Sequence, residues 1–204
     1  MISGLEALAR LREGNRRFVA ALHQSPRAGP PLQLVPKEWQ EPCAIILGCS
    51  DSRVPAELVF DQGLGDLFVI RVAGNIVAPS QVGSVEFAAA RFGTRLAVVL
   101  GHTHCGAVAA TVDQLRQPTP LQSPNMRYIV SCIRHSVEPL MTEPVARDPA
   151  ALMSEAVRAN IRLSADHLRH GSEVLEGLVK RDGLVIVGAE YRLETGEVDF
   201  FDAD

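Results

Sequence analysis

The sequence predicts an α/β fold: a mainly parallel four-stranded sheet with an antiparallel edge strand, helices on both faces and an N-terminal helical arm. Three observations predict it. Four near-continuous apolar runs, "CAIILG" (43–48), "DLFVIRVAG" (66–74), "RLAVVLGH" (95–102) and "DGLVIVGAEY" (182–191), lack the alternation of half-exposed strands. Such runs are expected to be buried on both faces, as parallel strands are. Segments of helical periodicity separate them. Finally, "ETG" forms a turn into "EVDFF", a short strand that returns antiparallel at the sheet edge.

The elements follow in order. Residues 5–22 carry Leu5, Leu8, Leu11, Phe18, Val19 and Leu22 largely on one stripe, which predicts a helix. The proline-rich "SPRAGPPLQLVP" (25–36) stops it. That helix either docks on its own domain or reaches a neighbouring subunit, and periodicity favours neither. A second helix is expected over 80–93 with Ser80 as its cap, and a third over 106–116. "PTPLQSP" (118–124) reads as a loop. Helices are then expected over about 125–140 and 149–179, with Gly171 marking a break. No repeat or linker divides the chain, so residues 1–204 are expected to form one domain, with 1–42 as its N-terminal arm.

Composition narrows the function. The formal charge is -4, with 24 acidic against 20 basic residues, which argues against a nucleic-acid partner, since that needs a basic face. No window approaches the roughly 18 apolar residues of a membrane span, and the N-terminus is amphipathic, unlike a secretory leader. The cytoplasm is the expected compartment. Four cysteines in 204 residues are too sparse for a disulfide scaffold. Cys43 and Cys132 read as core residues. Cys49 and Cys105 stand in polar, ionisable surroundings and require another explanation.

The first strand ends at Cys49 and the third at His102, so both fall at the carboxyl edge of the sheet, where α/β proteins place their chemistry. His102 and Cys105 are three residues apart, which lets one turn aim both at a single ion. Two sulfurs and an imidazole form the borderline-soft set that zinc takes in tetrahedral geometry. Asp51 either fills the fourth position or stays outside it and holds a water. Arg53 discriminates between a structural and a catalytic site, because a bidentate arginine can hold the carboxylate off the metal. Three other readings compete: core cysteines, a cysteine nucleophile aided by His102, and redox chemistry, which lacks a C-x-x-C motif. His104 adjoins Cys105 too closely for both to ligate one ion. His23, His135, His167 and His170 read as surface or packing residues.

"CSDSR" (49–53), "RVAGN" (71–75), "GHTHCG" (101–106) and the gap of about fifty residues between Cys49 and His102 together resemble the β-class carbonic anhydrases. The similarity runs from about Leu5 to the tail "GAEYRLETGEVDF". It implies Zn2+ held by Cys49, His102 and Cys105, with Asp51 or water fourth, and Asp51 with Arg53 as the catalytic pair. It implies reversible hydration of carbon dioxide to bicarbonate and a proton by zinc-bound hydroxide. It also implies a homodimer that often pairs into a homotetramer, with an N-terminal helix that wraps the partner. Gly74 and Gly106 are expected to allow close backbone approach, and Val54, Val72 and Val77 to wall a narrow apolar pocket. A substrate-facing glutamine falls near Gln62, although Gly63 holds the counted position. The second bicarbonate site of some bacterial members needs a tryptophan where this chain has Ile46; its only tryptophan is Trp39. Arg71 and Tyr191 match that site's other residues. A hydrolase of carbon disulfide or carbonyl sulfide on the same fold is the alternative activity, and a structural-zinc relative would have lost Asp51 or Arg53.

Overall fold

The computed structural model describes residues 2–24, 39–119 and 123–201. The helix α1 (Gly4–Gln24) leads to β1 (Ala44–Gly48), a single turn of helix α2 (Ala56–Val59), β2 (Leu67–Arg71), α3 (Pro79–Arg91), β3 (Leu96–His102) and α4 (Gly106–Arg116). Then come α5 (Pro124–Val137), α6 (Pro149–His170), α7 (Glu173–Arg181), β4 (Val185–Tyr191) and β5 (Val198–Phe201). Tight helical turns at 73–75, 138–142 and 144–147 and the short α2 are additions to the expected elements. The 25–36 segment and part of the 118–124 loop lie outside the described residues.

The strands form one sheet in the order β2-β1-β3-β4-β5. The first four are mutually parallel and β5 runs antiparallel to β4, as expected. The chain leaves β1 for β2 on one side, and β3 then returns to the other side of β1. This reversal marks the carboxyl ends of β1 and β3 as the switch point where α/β sheets place their sites.

Every residue of β1 and β3 is buried, which accounts for their unbroken apolar runs. Alternate side chains feed two cores. Ile45, Leu47, Ala97 and Val99 face α3 to α7, whereas Ala44, Ile46, Val98 and Leu100 face α1 and α2. Cys49 continues the parity of Ile45 and Leu47 into the first core, where Cys105 also lies. Cys43 and Cys132 are half-buried at the core margins rather than inside them.

Local chemistry sets the helix starts. Ser3 and Glu6 form a reciprocal capping box at α1: Glu6 N–H donates to Ser3 Oγ at 3.2 Å, and Ser3 N–H to Glu6 Oε2 at 2.8 Å. Asp148 and Ser172 accept from the first backbone N–H groups of α6 and α7. Ser80 does not cap α3. Pro79 already occupies the first turn with φ pre-set, and Ser80 Oγ bonds Gln81 Oε1 instead.

The helix α1 packs on its own sheet. Ala7, Leu8, Leu11 and Phe18 join the second core. Leu5 drops out of the predicted stripe and is 63% exposed, because the buried stripe runs instead through Gly4, Ala7, Leu11 and Asn15. Asn15, itself buried, donates to Val59 O at 3.1 Å and Gly196 O at 2.8 Å, and accepts from Val198 N at 2.9 Å. It joins α1 to α2 and to the β4–β5 turn. Gly14 permits the contact, since a Cβ there would fall 1.8 Å from Phe60 O. Among the described residues no helix is long and apolar enough to cross a membrane.

Gly14→Ala is therefore expected to push α1 off the sheet and lower stability by about 1–3 kcal/mol, the range for overpacking. Gly83→Ala, on an exposed helical site where a Cβ meets nothing within 4 Å, is expected to raise it by about 0.5–1 kcal/mol. Urea unfolding midpoints of the two variants check both signs.

Candidate metal centre

The carboxyl ends of β1 and β3 gather the residues singled out in the sequence. Cys49 follows β1 directly, His102 is the last residue of β3, and Cys105 stands at the N-cap of α4. They are 5%, 0% and 1% exposed. Their donor atoms all lie within 4.8 Å of one another. The two sulfurs are 3.9 Å apart. Tetrahedral zinc with Zn–S bonds of usual length sets its sulfurs about 3.8 Å apart.

The imidazole supplies an independent test of fit. His102 Nδ1 lies 2.9 Å from Thr103 O, so Nδ1 carries the proton and donates. This leaves Nε2 with a lone pair, buried and without a hydrogen-bond partner. An orphaned acceptor of this kind costs about 1–3 kcal/mol, and a cation between it and the two sulfurs removes the cost. The thiols point the same way. Cys49 is drawn down to about 4, chiefly by the hydrogen bond from Cys105 acting against burial. Cys105 is held up by the same bond and then by burial. The pair thus divides one proton, and a bound divalent cation is what lets both ionise. The donor set fits zinc.

The backbone around the cluster is fixed from outside. Gly74 N–H points to Cys49 Sγ at 3.4 Å, from a turn in which Gly74 has φ +69°. Asn160 Nδ2 on α6 donates to Gly74 O at 2.8 Å and anchors that turn. Arg71 Nε donates to Cys49 O at 3.1 Å, and its Nη2 to Asp51 O. Asn160 carried no sequence signal, being 86 residues from its partner. The sequence assigns Arg71 a different role, in the second bicarbonate site.

Asp51 lies beside the cluster. Its Oδ2 is 3.9 Å from His102 Nε2. Arg53 binds it bidentately, Nε to Oδ1 at 2.9 Å and Nη2 to Oδ2 at 2.7 Å, and adds its backbone N–H at 2.9 Å. These bonds hold the Asp51 carboxyl well below the usual carboxylate range.

Other expected positions fall differently. A Cβ on Gly106 would meet nothing within 4 Å, so close approach needs only Gly74. Val54 belongs to the core beneath α1, while Val72 and Val77 border the core that contains the cysteines. Gln62 is buried: it accepts from Arg10 Nε on α1 at 2.7 Å and donates to Phe60 O. His104 is exposed and pairs with Glu194. His23, His135, His167 and His170 lie on the surface. Ile46 is fully buried in β1, Trp39 is 75% exposed, and Tyr191 packs near Phe18.

A family model described as carbonic anhydrase matches residues 44–198. Carbonic anhydrase 2 of Mycobacterium tuberculosis is 37% identical over 186 residues, which cover 91% of this chain and 87% of that protein. The carbonic anhydrase of Mycolicibacterium smegmatis is 34% identical over 189 residues, covering 93% and 89%. Among solved structures, the β-carbonic anhydrase CcaA superposes with a TM-score of 0.68 at 26% identity, covering 98% of this chain and 88% of that one. A tetrameric β-carbonic anhydrase of Sordaria macrospora superposes with a TM-score of 0.71 at 20% identity, covering 97% and 96%, a likeness of fold.

Gly74→Ala tests the support of the cluster. A Cβ there lies 2.7 Å from Ile133 Cδ1, on a backbone conformation that favours glycine. We expect stability to fall by about 1–3 kcal/mol and zinc to leave the protein faster, followed by denaturant titration and by transfer to a chromophoric chelator.

Proposed function

The chain belongs to the β-class carbonic anhydrases, and from that membership we propose how its own residues carry the reaction. Its chemistry is carbonic-anhydrase-type hydration at a Cys-His-Cys metal site, the work of a zinc-dependent lyase. In the proposed assignment Cys49, His102 and Cys105 hold zinc, Asp51 or a water is fourth, and Asp51 with Arg53 is the catalytic pair. The observation that carries it is the buried, unpartnered His102 Nε2 turned toward two thiols 3.9 Å apart, beside a carboxylate locked to arginine.

When bound, zinc supplies Lewis acidity that brings the pKa of a coordinated water toward 7. The remaining work belongs to the chain. Arg53 keeps Asp51 ionised and aimed by two parallel hydrogen bonds. Asp51 accepts a hydrogen bond from the attacking oxygen and turns that oxygen's lone pair toward the carbon of carbon dioxide. An ionised, fixed acceptor does this without reorganising during the reaction. The Gly74 N–H steadies the Cys49 sulfur. Val72 and Val77 offer an apolar border for a small apolar substrate.

We further propose a homodimer that can pair into tetramers. The Sordaria enzymes are tetrameric. Support in this chain comes from large apolar side chains left in solvent, Trp39 at 75% and Phe87 at 54% exposure. Placement in the cytoplasm is also proposed and is supported by four cysteines in 204 residues, too few for a disulfide scaffold.

Zinc content and stopped-flow carbon dioxide hydration, measured on one sample between about pH 6.5 and 9, test the assignment. About one zinc per chain and a rate rising with pH are expected. Asp51→Ala should cut the rate by about 100-fold or more. The inflection of the profile should stay where it is, because a carboxyl held below its ordinary value remains ionised throughout that range. Full zinc without hydration would overturn the assignment and turn attention to carbon disulfide. Sedimentation velocity tests the assembly, with a monomer at micromolar concentration as the refuting result.

A further inference from the structure

The polar groups of the 102–105 loop lead to a residue outside the cluster of proposed ligands. Thr103 is held at every polar atom. Its N–H donates to Tyr191 O at 3.0 Å. Its Oγ1 accepts from Leu193 N at 3.1 Å and donates to the Glu194 carboxylate at 3.0 Å. Its carbonyl accepts from His102 Nδ1 at 2.9 Å. That last bond chooses the tautomer and angle of the imidazole, and so sets where Nε2 points. Glu194 takes a second partner in the same loop, His104 Nε2 at 2.7 Å. His104 sits at φ +56°, in the left-handed region that a side chain disfavours. One carboxylate thus grips two successive residues of the loop that joins His102 to Cys105.

The grip has a firm base. Glu194 belongs to the β4–β5 turn, closed by Gly196 N–H to Arg192 O at 2.8 Å and Arg192 N–H to Glu197 O at 2.8 Å. The turn is tied to α1 by Asn15 Nδ2 on Gly196 O. The path runs from α1 through Asn15, the turn, Glu194 and Thr103 to His102.

We propose that Glu194 is a positioning residue of the metal centre, acting through Thr103 and His104 to fix the loop and, with it, the His102 imidazole. The proposal rests on His102 being a zinc ligand, as proposed above. Glu194 and His104 are 51% and 70% exposed. Ion pairs at such exposure add little to global stability, so the loss should appear in the metal site and not in unfolding.

The experiment uses the zinc-loaded enzyme and its variants Thr103→Val, Thr103→Ser, Glu194→Ala and Glu194→Gln. Three quantities are read: the rate of zinc transfer to a chromophoric chelator, the d–d absorption of the cobalt-substituted protein, and Tm. Thr103→Val keeps the carbonyl that His102 Nδ1 bonds but strips the hydroxyl that ties the loop to Leu193 and Glu194, and should release zinc several-fold faster. Glu194→Ala should act in the same direction by several-fold and shift the cobalt bands. Thr103→Ser and Glu194→Gln, which keep the hydroxyl and an acceptor oxygen, should restore wild-type release. Tm should move by less than about 3 °C. Release from Glu194→Ala within about twofold of wild type overturns the proposal, and so does faster release that merely tracks a lowered Tm without rescue. Wild-type enzyme that binds no zinc overturns the ligand assignment and this proposal with it. Wild-type zinc with unaltered variants overturns the positioning role alone.

Discussion

Two thiols and an imidazole, buried within 4.8 Å of one another, form the constraint on which the architecture turns. A buried imidazole nitrogen without a partner is costly, and the two thiols share a single proton. The three gather at one point only because β1 and β3 are adjacent and parallel, and because the chain reverses direction between them. Strand parity does the rest: the alternation that buries Ile45 and Leu47 against the helices carries Cys49 into the same core as Cys105.

The polar groups around the cluster are nearly all committed elsewhere. Arg71 spends its guanidinium on the carbonyls of Cys49 and Asp51. Asn160 holds the turn that offers the Gly74 N–H. Thr103 has no free polar atom. Such saturation narrows the positions open to each donor atom, which a metal site requires if its ligands are to stay in place between turnovers.

Much of this was legible in the sequence, and the reasons are physical. Buried parallel strands announce themselves as unbroken apolar runs, so "AIILG" and "LAVVLGH" could be read directly. Cys49, Asp51 and Arg53 lie within five residues, and His102 and Cys105 within four, so local spacing revealed them. Contacts at long separation were hidden. Glu194 reaches Thr103 across 91 residues, and Gln62 is drawn toward α1 by Arg10 across 52. The register of α1 was misread at Leu5 because glycines, invisible to a hydrophobic pattern, decide which face approaches the sheet: Gly4 and Gly14 meet backbone there. Ser80 was misread because Pro79 competes for the same helix start.

The division of burial within the site bears on how a proton leaves. The three proposed ligands are almost wholly enclosed, whereas the side chains of Asp51 and Arg53 are 18% and 55% exposed. Charge stabilisation is strongest where water is excluded, and the ligand half has that property. The carboxylate half faces outward. Asp51, gripped by Arg53 and shifted toward lower pKa, is a poor proton store at neutral pH, because its protonated form must give up a bidentate pair. On the proposed mechanism Asp51 therefore orients the attacking oxygen and does not keep the proton. On that same mechanism the outward face leaves solvent or buffer to take it.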